Sequence, residues 1–492
     1  MKKRLILLIL AMAMMLAILA GCTTDKKENG SETESTGRSD VTDGDAGENV
    51  SDTLEAYNFG GKDFIILIRE DTAYEYAANL GLGGDSVERA VYKRNHEVAQ
   101  RFNATIKTVK KPGGWDQRAE FLTAVRGEAM GGGGGYDLVS THSVYLGWMT
   151  VEGLATDMAT LPGMDFSKAW WNQNLYDELN INGHVYLMLG DICTTTYEYM
   201  QVMFVNETKF NNYFSEDGID KIYDLVENDE WTWEKCIEYA TAYGTQGNTE
   251  TTEYGLAMNN HSWRASFISQ DAYLFTRDEN GDLMMELNPT SKLVSIVETM
   301  VGLYQRENIY LHVEWSTGAA TLNPMFSAGN VLFYPQTLGE AANIAKTMKD
   351  QYGVIPLPMY DTFQDQYYTI CRDTVSAVMI ITTADDPTMS GVMTEALCMY
   401  GHELVVPEYY EIVLKVRYFD DPKYAEILDT IREGLTIQPV DMYIEGAEDC
   451  DMFWEQVVNG KADVVSRYTQ FSRSTQVLLD NFYASLKEQG LY

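Results

Sequence analysis

Phe64-Ile-Ile-Leu-Ile68 is a short apolar run with no polar interruption. Such a run suits a strand buried on both faces, as in a parallel sheet. Working outward, Asp85 to Phe102 reads as a helix, with Val87, Val91, Val98 and Phe102 on one stripe and Asp85 and Glu88 at capping-box spacing. Ala104 to Val109 predicts a second strand, Gly113-Gly114 breaks it, and Arg118 to Met130 predicts a second helix. The glycine loop 131–135 then leads to a third short strand, Tyr136-Asp-Leu-Val-Ser140. Strand, helix, strand, helix, strand is the signature of a parallel α/β sheet.

Upstream, residues 1–22 read MKKRLILLILAMAMMLAILAGC. A basic start (Lys2, Lys3, Arg4), an apolar run from Leu5 to Leu19 and small residues before Cys22 predict an export signal over residues 1–21. The competing reading is a membrane anchor, but the run is short for the roughly 20 residues a span needs. Leu19-Ala-Gly-Cys22 resembles a bacterial lipobox, which implies cleavage before Cys22 and a lipid thioether on its sulfur. Residues 22–53 are dominated by Ser, Thr, Gly, Asp and Glu. They cannot bury enough apolar surface to order themselves, and read as an acidic tether. The expected location is the extracellular face of the cell membrane.

The chain has 492 residues, so two large lobes or about three domains are expected. Hydrophobic residues at 45% argue against wholesale disorder. With 36 Lys+Arg against 73 Asp+Glu, the formal charge is −37. That disfavours non-specific nucleic-acid binding and an electrostatic grip on anionic lipid. Cys193, Cys236, Cys371, Cys398 and Cys450 are odd in number and form no CxxC pair, so no disulfide framework is indicated, though one pair could bridge.

Further along, Gly183 to Leu189 and Met200 to Asn206 predict strands, and Thr232 is the expected N-cap of a helix through Tyr239. Asn280-Gly281 lies between apolar runs, a hairpin signal. Leu293 to Tyr304 reads as a helix, Val331 to Tyr334 as a strand, and Tyr352–Pro358 and Val375–Thr382 as extended. Beyond Pro387 the pattern is mainly helical, clearest at Glu395–Tyr400, Tyr409–Val416 and Val477–Leu486.

The order lipobox, acidic tether, βαβ start, Gly183-His-Val-Tyr-Leu, Met203-Phe-Val-Asn-Glu-Thr-Lys-Phe210, Trp231-Thr-Trp-Glu234, Phe326-Ser-Ala-Gly-Asn-Val-Leu-Phe333 and Gly353-Val-Ile-Pro-Leu-Pro358 resembles the extracellular solute-binding proteins of bacterial ABC importers. The sugar-binding branch, which includes maltose-binding protein, is the nearer resemblance. It implies an α/β, two-lobed periplasmic-binding-protein-like fold (type II), each lobe a mixed sheet flanked by helices. Lobe 1 is expected at 54–195 plus 372–405 and lobe 2 at 196–371 plus 406–492. Hinge crossings fall near Asp191–Gln201, Gln364–Asp373 and Tyr400–Pro407. The resemblance implies capture of a carbohydrate between closing lobes, permease subunits as membrane partners, and no catalysis or cofactor. The long 147–182 and 360–371 regions depart from the pattern.

Sugars present hydroxyl edges and apolar faces, so a site needs carboxylates, amides and Arg for the one and aromatic rings for the other. In open α/β sheets ligands lie beyond the carboxyl ends of strands. That rule selects Arg69 and Glu70, His142 and Tyr145, Tyr334 and Gln336, and at the crossings Asp191, Tyr197 and Asp373. Trp263, in the polar stretch Asn259-Asn-His-Ser-Trp-Arg264, is a candidate stacking ring. Against these stand blander readings: a surface ion pair for Arg69 and Glu70, a satisfied loop histidine for His142. Glu445 to Asp451 reads as a solvated acidic face, a calcium site being the weaker option. No GxSxG, HExxH, Walker or dinucleotide motif appears, which disfavours an enzyme such as a glycoside hydrolase. A ligand sensor of the same fold is the remaining alternative.

Overall fold

The apolar run at the head of the fold forms β1 (Asp63–Arg69), which pairs in parallel with β2 (Thr105–Lys111) and β3 (Leu138–His142) in a computed structural model. The structure describes residue 54 and residues 57–77, 85–216, 218–244, 253–285, 288–307, 309–313, 318–410, 423–444 and 463–492. The signal, Cys22, the tether, Cys450 and the 445–451 acidic stretch lie outside these, as does most of Tyr409–Val416.

Later in the chain, β12 (Ser376–Ile380) joins β3 antiparallel, giving the order β12-β3-β1-β2. Phe64, Ile66, Leu67 and Ile68 are buried, as a strand covered on both faces requires. Helix α1 (Ser86–Arg101) starts with the expected capping box: Asp85 accepts from Glu88 N, and Glu88 answers to the Asp85 N–H. After it come α2 (Arg118–Gly131) and α3 (Ser143–Val151). β3 begins two residues later than expected. Asp137, just before it, meets Ile65 twice, its side chain accepting from Ile65 N at 2.7 Å and its own N–H donating to the Ile65 carbonyl at 2.8 Å, and His142 ends the strand rather than following it.

A second sheet has the order β10-β4-β9-β5-β8. β4 (Gln201–Asn206) runs antiparallel to both β9 (Val331–Thr337) and β10 (Tyr352–Ile355). β5 (Tyr254–Asn259) is parallel to β9 and to β8 (Tyr310–Val313). Its helices include α4 (Trp233–Gly244), capped by Thr232 Oγ1, then α5 (Asn260–Ile268), α6 (Ser291–Tyr304) and α7 (Gly318–Ser327). The Asn280-Gly281 turn joins β6 (Phe275–Arg277) to β7 (Leu283–Met285) as expected. A two-stranded parallel ladder pairs β11 (Thr369–Ile370) with β13 (Leu435–Thr436). The chain closes with α8 (Pro387–Tyr400), α9 (Lys423–Glu433), α10 (Pro439–Tyr443) and α11 (Val464–Glu488). α8 runs on through a π-helical turn, Gly401–Val405.

Gly183 to Leu189 departs from expectation. Val185 to Leu189 are buried, but the segment forms no ladder, meeting β12 at the single bridge Met188–Val378. The cause is local. Asp157 accepts from Val185 N at 3.0 Å and from the His184 ring at 2.8 Å, drawing the segment's start away from the sheet. Trp170 and Trp171, after the same loop, are pinned from α8: both indole N–H groups donate to Glu395, at 2.7 and 2.9 Å, and Asp165 N adds a third bond at 3.2 Å.

Two outcomes follow from this packing. Burial outweighs those three donors and lifts the Glu395 carboxyl to about 7. The folded chain therefore holds a proton there that the unfolded chain, titrating near ~4.3, releases. Stability from this group is full below ~4.3 and is lost as pH rises through about 7. In urea unfolding from pH 4 to 8, Glu395→Gln should remove that decline and lower stability by about 1–3 kcal/mol, the cost of a mispaired buried donor. Separately, a Cβ at Gly147 would lie 1.8 Å from the Met442 carbonyl, so α10 docks on α3 only over glycine. Gly147→Ala should lower the melting midpoint more than Gly183→Ala, where no atom lies within 4 Å but φ is +91°. Equal losses would show that α10 is not held against α3.

Candidate functional site

Arg69 ends β1 and His142 ends β3, so the strand-end rule brings the two side chains together. Arg69 is fully buried and its guanidinium meets the His142 ring. His142 Nδ1–H donates to the Thr374 carbonyl at 2.6 Å. Burial, then the Arg69 charge, push the imidazole down to about 3, so it is neutral. Tyr145 packs edge-on against His142, with centroids 4.8 Å apart. Glu70 is exposed on the turn after β1 and pairs with nothing in this group.

One exposed aromatic joins this edge. Trp115 follows β2, is 47% exposed, stacks on Tyr145 at 6.1 Å and meets Trp148 edge-on at 6.2 Å. The Arg118 guanidinium lies 5.2 Å from its centroid. The strand-end rule applied to β2 would have found Trp115, had the Gly113-Gly114 break been read as a strand end facing the site.

The crossings carry a second group. Tyr197 OH and His402 Nδ1–H both donate to Asp191, each at 2.5 Å, and Arg432 stacks 5.5 Å from the Tyr197 centroid. Asp191, Tyr197 and Arg432 line a small pocket with about 330 Å³ of empty space, open solvent included. Tyr334 and Gln336 are spent on structure: Gln336 Nε2 donates to Tyr334 OH, which donates to Asn323, each at 2.8 Å. Trp263 is 2% exposed in α5 and packs edge-on against Phe267, so neither face is open to a ligand in this conformation.

A second pocket has about 520 Å³ of empty space, most of it open mouth, around a cavity of about 30 Å³. Its walls come from distant parts of the chain. His261, Arg264 and Ile268 stand on α5, beside the five-stranded sheet; Gln201 starts β4. Cys371, Arg372 and Asp373 lie on the return to β12, and Gln438, Asp441 and Met442 on or next to α10, which packs on α3 beside the four-stranded sheet. Of the candidate residues selected from sequence, Asp373 is the one that lines it.

The chemistry of this pocket is polar and unfinished. Arg264 reaches Asp373 at 3.3 Å and Asp441 at 3.4 Å. Arg372 Nη2 donates to His261 Nε2 at 2.8 Å, and its guanidinium lies 5.5 Å from the Tyr199 centroid. Burial, then Arg372 and Arg264, drive His261 down to about 2, so it accepts as a neutral ring. Among the described residues, both amide atoms of Gln201, Gln438 Nε2 and Arg372 Nε have no hydrogen-bond partner. Gln201 is 1% exposed, and an unsatisfied buried amide costs about 1–3 kcal/mol. Such groups fit a bound polar solute. The described cysteines, Cys193, Cys236, Cys371 and Cys398, are free and buried. Among the described residues there is no cluster suited to a metal ion, and no helix long and apolar enough to cross a membrane.

No protein-family model and no curated protein matches the chain. Among solved structures, a cyclo/maltodextrin-binding protein complexed with maltotetraose is similar over 87% of this chain and 96% of its own, with TM-score 0.51 and 14% identity. An ABC substrate-binding protein from Listeria monocytogenes in complex with cycloalternan is similar over 88% of this chain and 100% of its own, with TM-score 0.51 and 12% identity. At these identities the likeness carries the architecture: this chain has the two-lobed, mixed α/β fold of the periplasmic-binding-protein-like structures.

Proposed function

We propose that this chain is the solute-binding component of an ABC importer, that it captures a carbohydrate, and that a lipid on Cys22 tethers it outside the cytoplasmic membrane. The observation that supports this most is the pocket between α5 and α10, where buried amide and guanidinium groups await partners. Hydroxyl-rich solutes supply donors and acceptors together, which suits amides and paired Arg–Asp groups. Both named structural neighbours hold oligosaccharides. The charged leader, short apolar run and Leu19-Ala-Gly-Cys22 support the tether.

The mechanism is a population shift. The pocket takes walls from helices beside each sheet, so a solute that bonds to both favours the arrangement in which they approach. The lobes proposed are 54–195 with 372–405, and 196–371 with 406–492, and the closed form is the one a permease engages. ATP hydrolysis belongs to another polypeptide.

Thermal unfolding against a panel of oligosaccharides, with peptides, polyamines and metal ions as controls, tests the reading. A solute at a hundredfold excess over its dissociation constant adds about 2.7 kcal/mol. The expected result is a raised midpoint with a glycan that is recovered intact; a shift with peptide or ion alone would discard the sugar. Gln201→Met sharpens the test. Removing the two unpartnered amide atoms should raise the midpoint of the free protein while reducing the glycan-induced shift. If Gln201→Met keeps the full shift, this pocket is not the site.

A further inference from the structure

Arg94, fully buried, and Arg372, partly buried, are treated differently in this protein. Arg94, on α1, donates to the Ile192 carbonyl at 2.9 Å and the Glu75 carbonyl at 2.7 Å, and its Nε reaches Asn95 at 3.1 Å. Its donors are spent on holding the first crossing. Arg372 has no such set. It donates through Nη2 to a neutral imidazole and faces a tyrosine ring, and its Nε has no partner. Among the described residues, no carboxylate stands within ion-pair distance of it. Asp373, next in the chain, turns to Arg264, as does Asp441. Glu340, the other acid whose charge it feels, is engaged by Asn323 and Asn343. Arg264 is matched by two carboxylates; Arg372 is not.

A partly buried cation without an anion is costly, and the chain, of net charge −37, has carboxylates to spare. The unpartnered groups beside it are chiefly donors: Gln201 Nε2, Gln438 Nε2 and Arg372 Nε, against one acceptor, Gln201 Oε1. All three residues line the same pocket. A neutral hydroxyl would satisfy one or two of these groups. A carboxylate offers about four acceptor positions and the missing charge.

We propose that the carbohydrate taken by this pocket carries a carboxylate, as a uronic acid does, and that Arg372 receives it with the Gln201 and Gln438 amides. The proposal rests on the carbohydrate reading above and narrows it from sugars at large to acidic sugars. Asp373 and Asp441, held by Arg264, then face the hydroxyl edge of the ring rather than its charge.

The experiment is titration calorimetry with the purified protein against short oligomers of galacturonate, glucuronate and mannuronate-guluronate, each paired with its methyl ester. Maltotetraose and cellotetraose are the neutral arms, a sulfated disaccharide tests another anion on a sugar, and citrate and a tripeptide test carboxylates without one. One uronate should bind at least tenfold tighter than its ester, with affinity falling as salt is raised. Arg372→Gln should bring the acid-to-ester ratio towards one, and Arg372→Lys should restore part of it, both checked for folding by circular dichroism. Equal affinity for acid and ester, binding of neutral or sulfated sugar alone, or no binding of any uronate while a neutral glycan binds, overturns this inference and leaves the carbohydrate reading standing. Binding of citrate or peptide with no glycan bound, or of nothing at all, overturns that reading as well.

Discussion

Arg264 stands between Asp373 at 3.3 Å and Asp441 at 3.4 Å, and the three residues come from three separated stretches of chain. Arg264 belongs to α5, Asp373 to the return towards β12, and Asp441 to α10 on α3. An exposed pair of this kind would be worth little. Here each side chain is largely shielded, and the guanidinium fixes the relative positions of the elements that bound the pocket. The positions of Gln201, Arg372 and Gln438 around that pocket depend on the same frame.

The neighbouring histidines share a logic. His142 lies against Arg69 and His261 against Arg372, and both are neutral bases that accept from a guanidinium. A neutral acceptor directs an arginine without cancelling its charge. At Arg372 the result is a positive charge preserved in a very acidic protein, whereas Arg69 also reaches Asp71 at 3.5 Å. Asp191 plays the converse part at the crossings, where Tyr197 and His402 converge on one carboxylate.

Much of the first sheet was legible because its determinants are local. The run 64–68, the Asp85–Glu88 cap and the glycine breaks each act within a few residues. Local pattern failed where a side chain replaced backbone pairing, as Asp157 does at Val185. The site was legible only in part for a related reason. Of the residues chosen from sequence Asp373 lines the pocket, while Gln201, His261, Arg264, Gln438 and Asp441 meet across more than two hundred residues of sequence. Trp263 misled because a polar stretch suggested a loop, whereas Asn259 accepts from Ser262 N and caps a helix that buries the indole.

The central claim is that a solute is gripped between α5 and α10 at the return to β12. Hydrogen–deuterium exchange, read by mass spectrometry with and without whichever glycan binds, locates that grip directly. The account predicts added protection in peptides covering 260–268, 369–373 and 436–443 together. Protection confined to the groove lined by Tyr223, Asp229, Lys423 and Glu426, or to 113–148 alone, would contradict it.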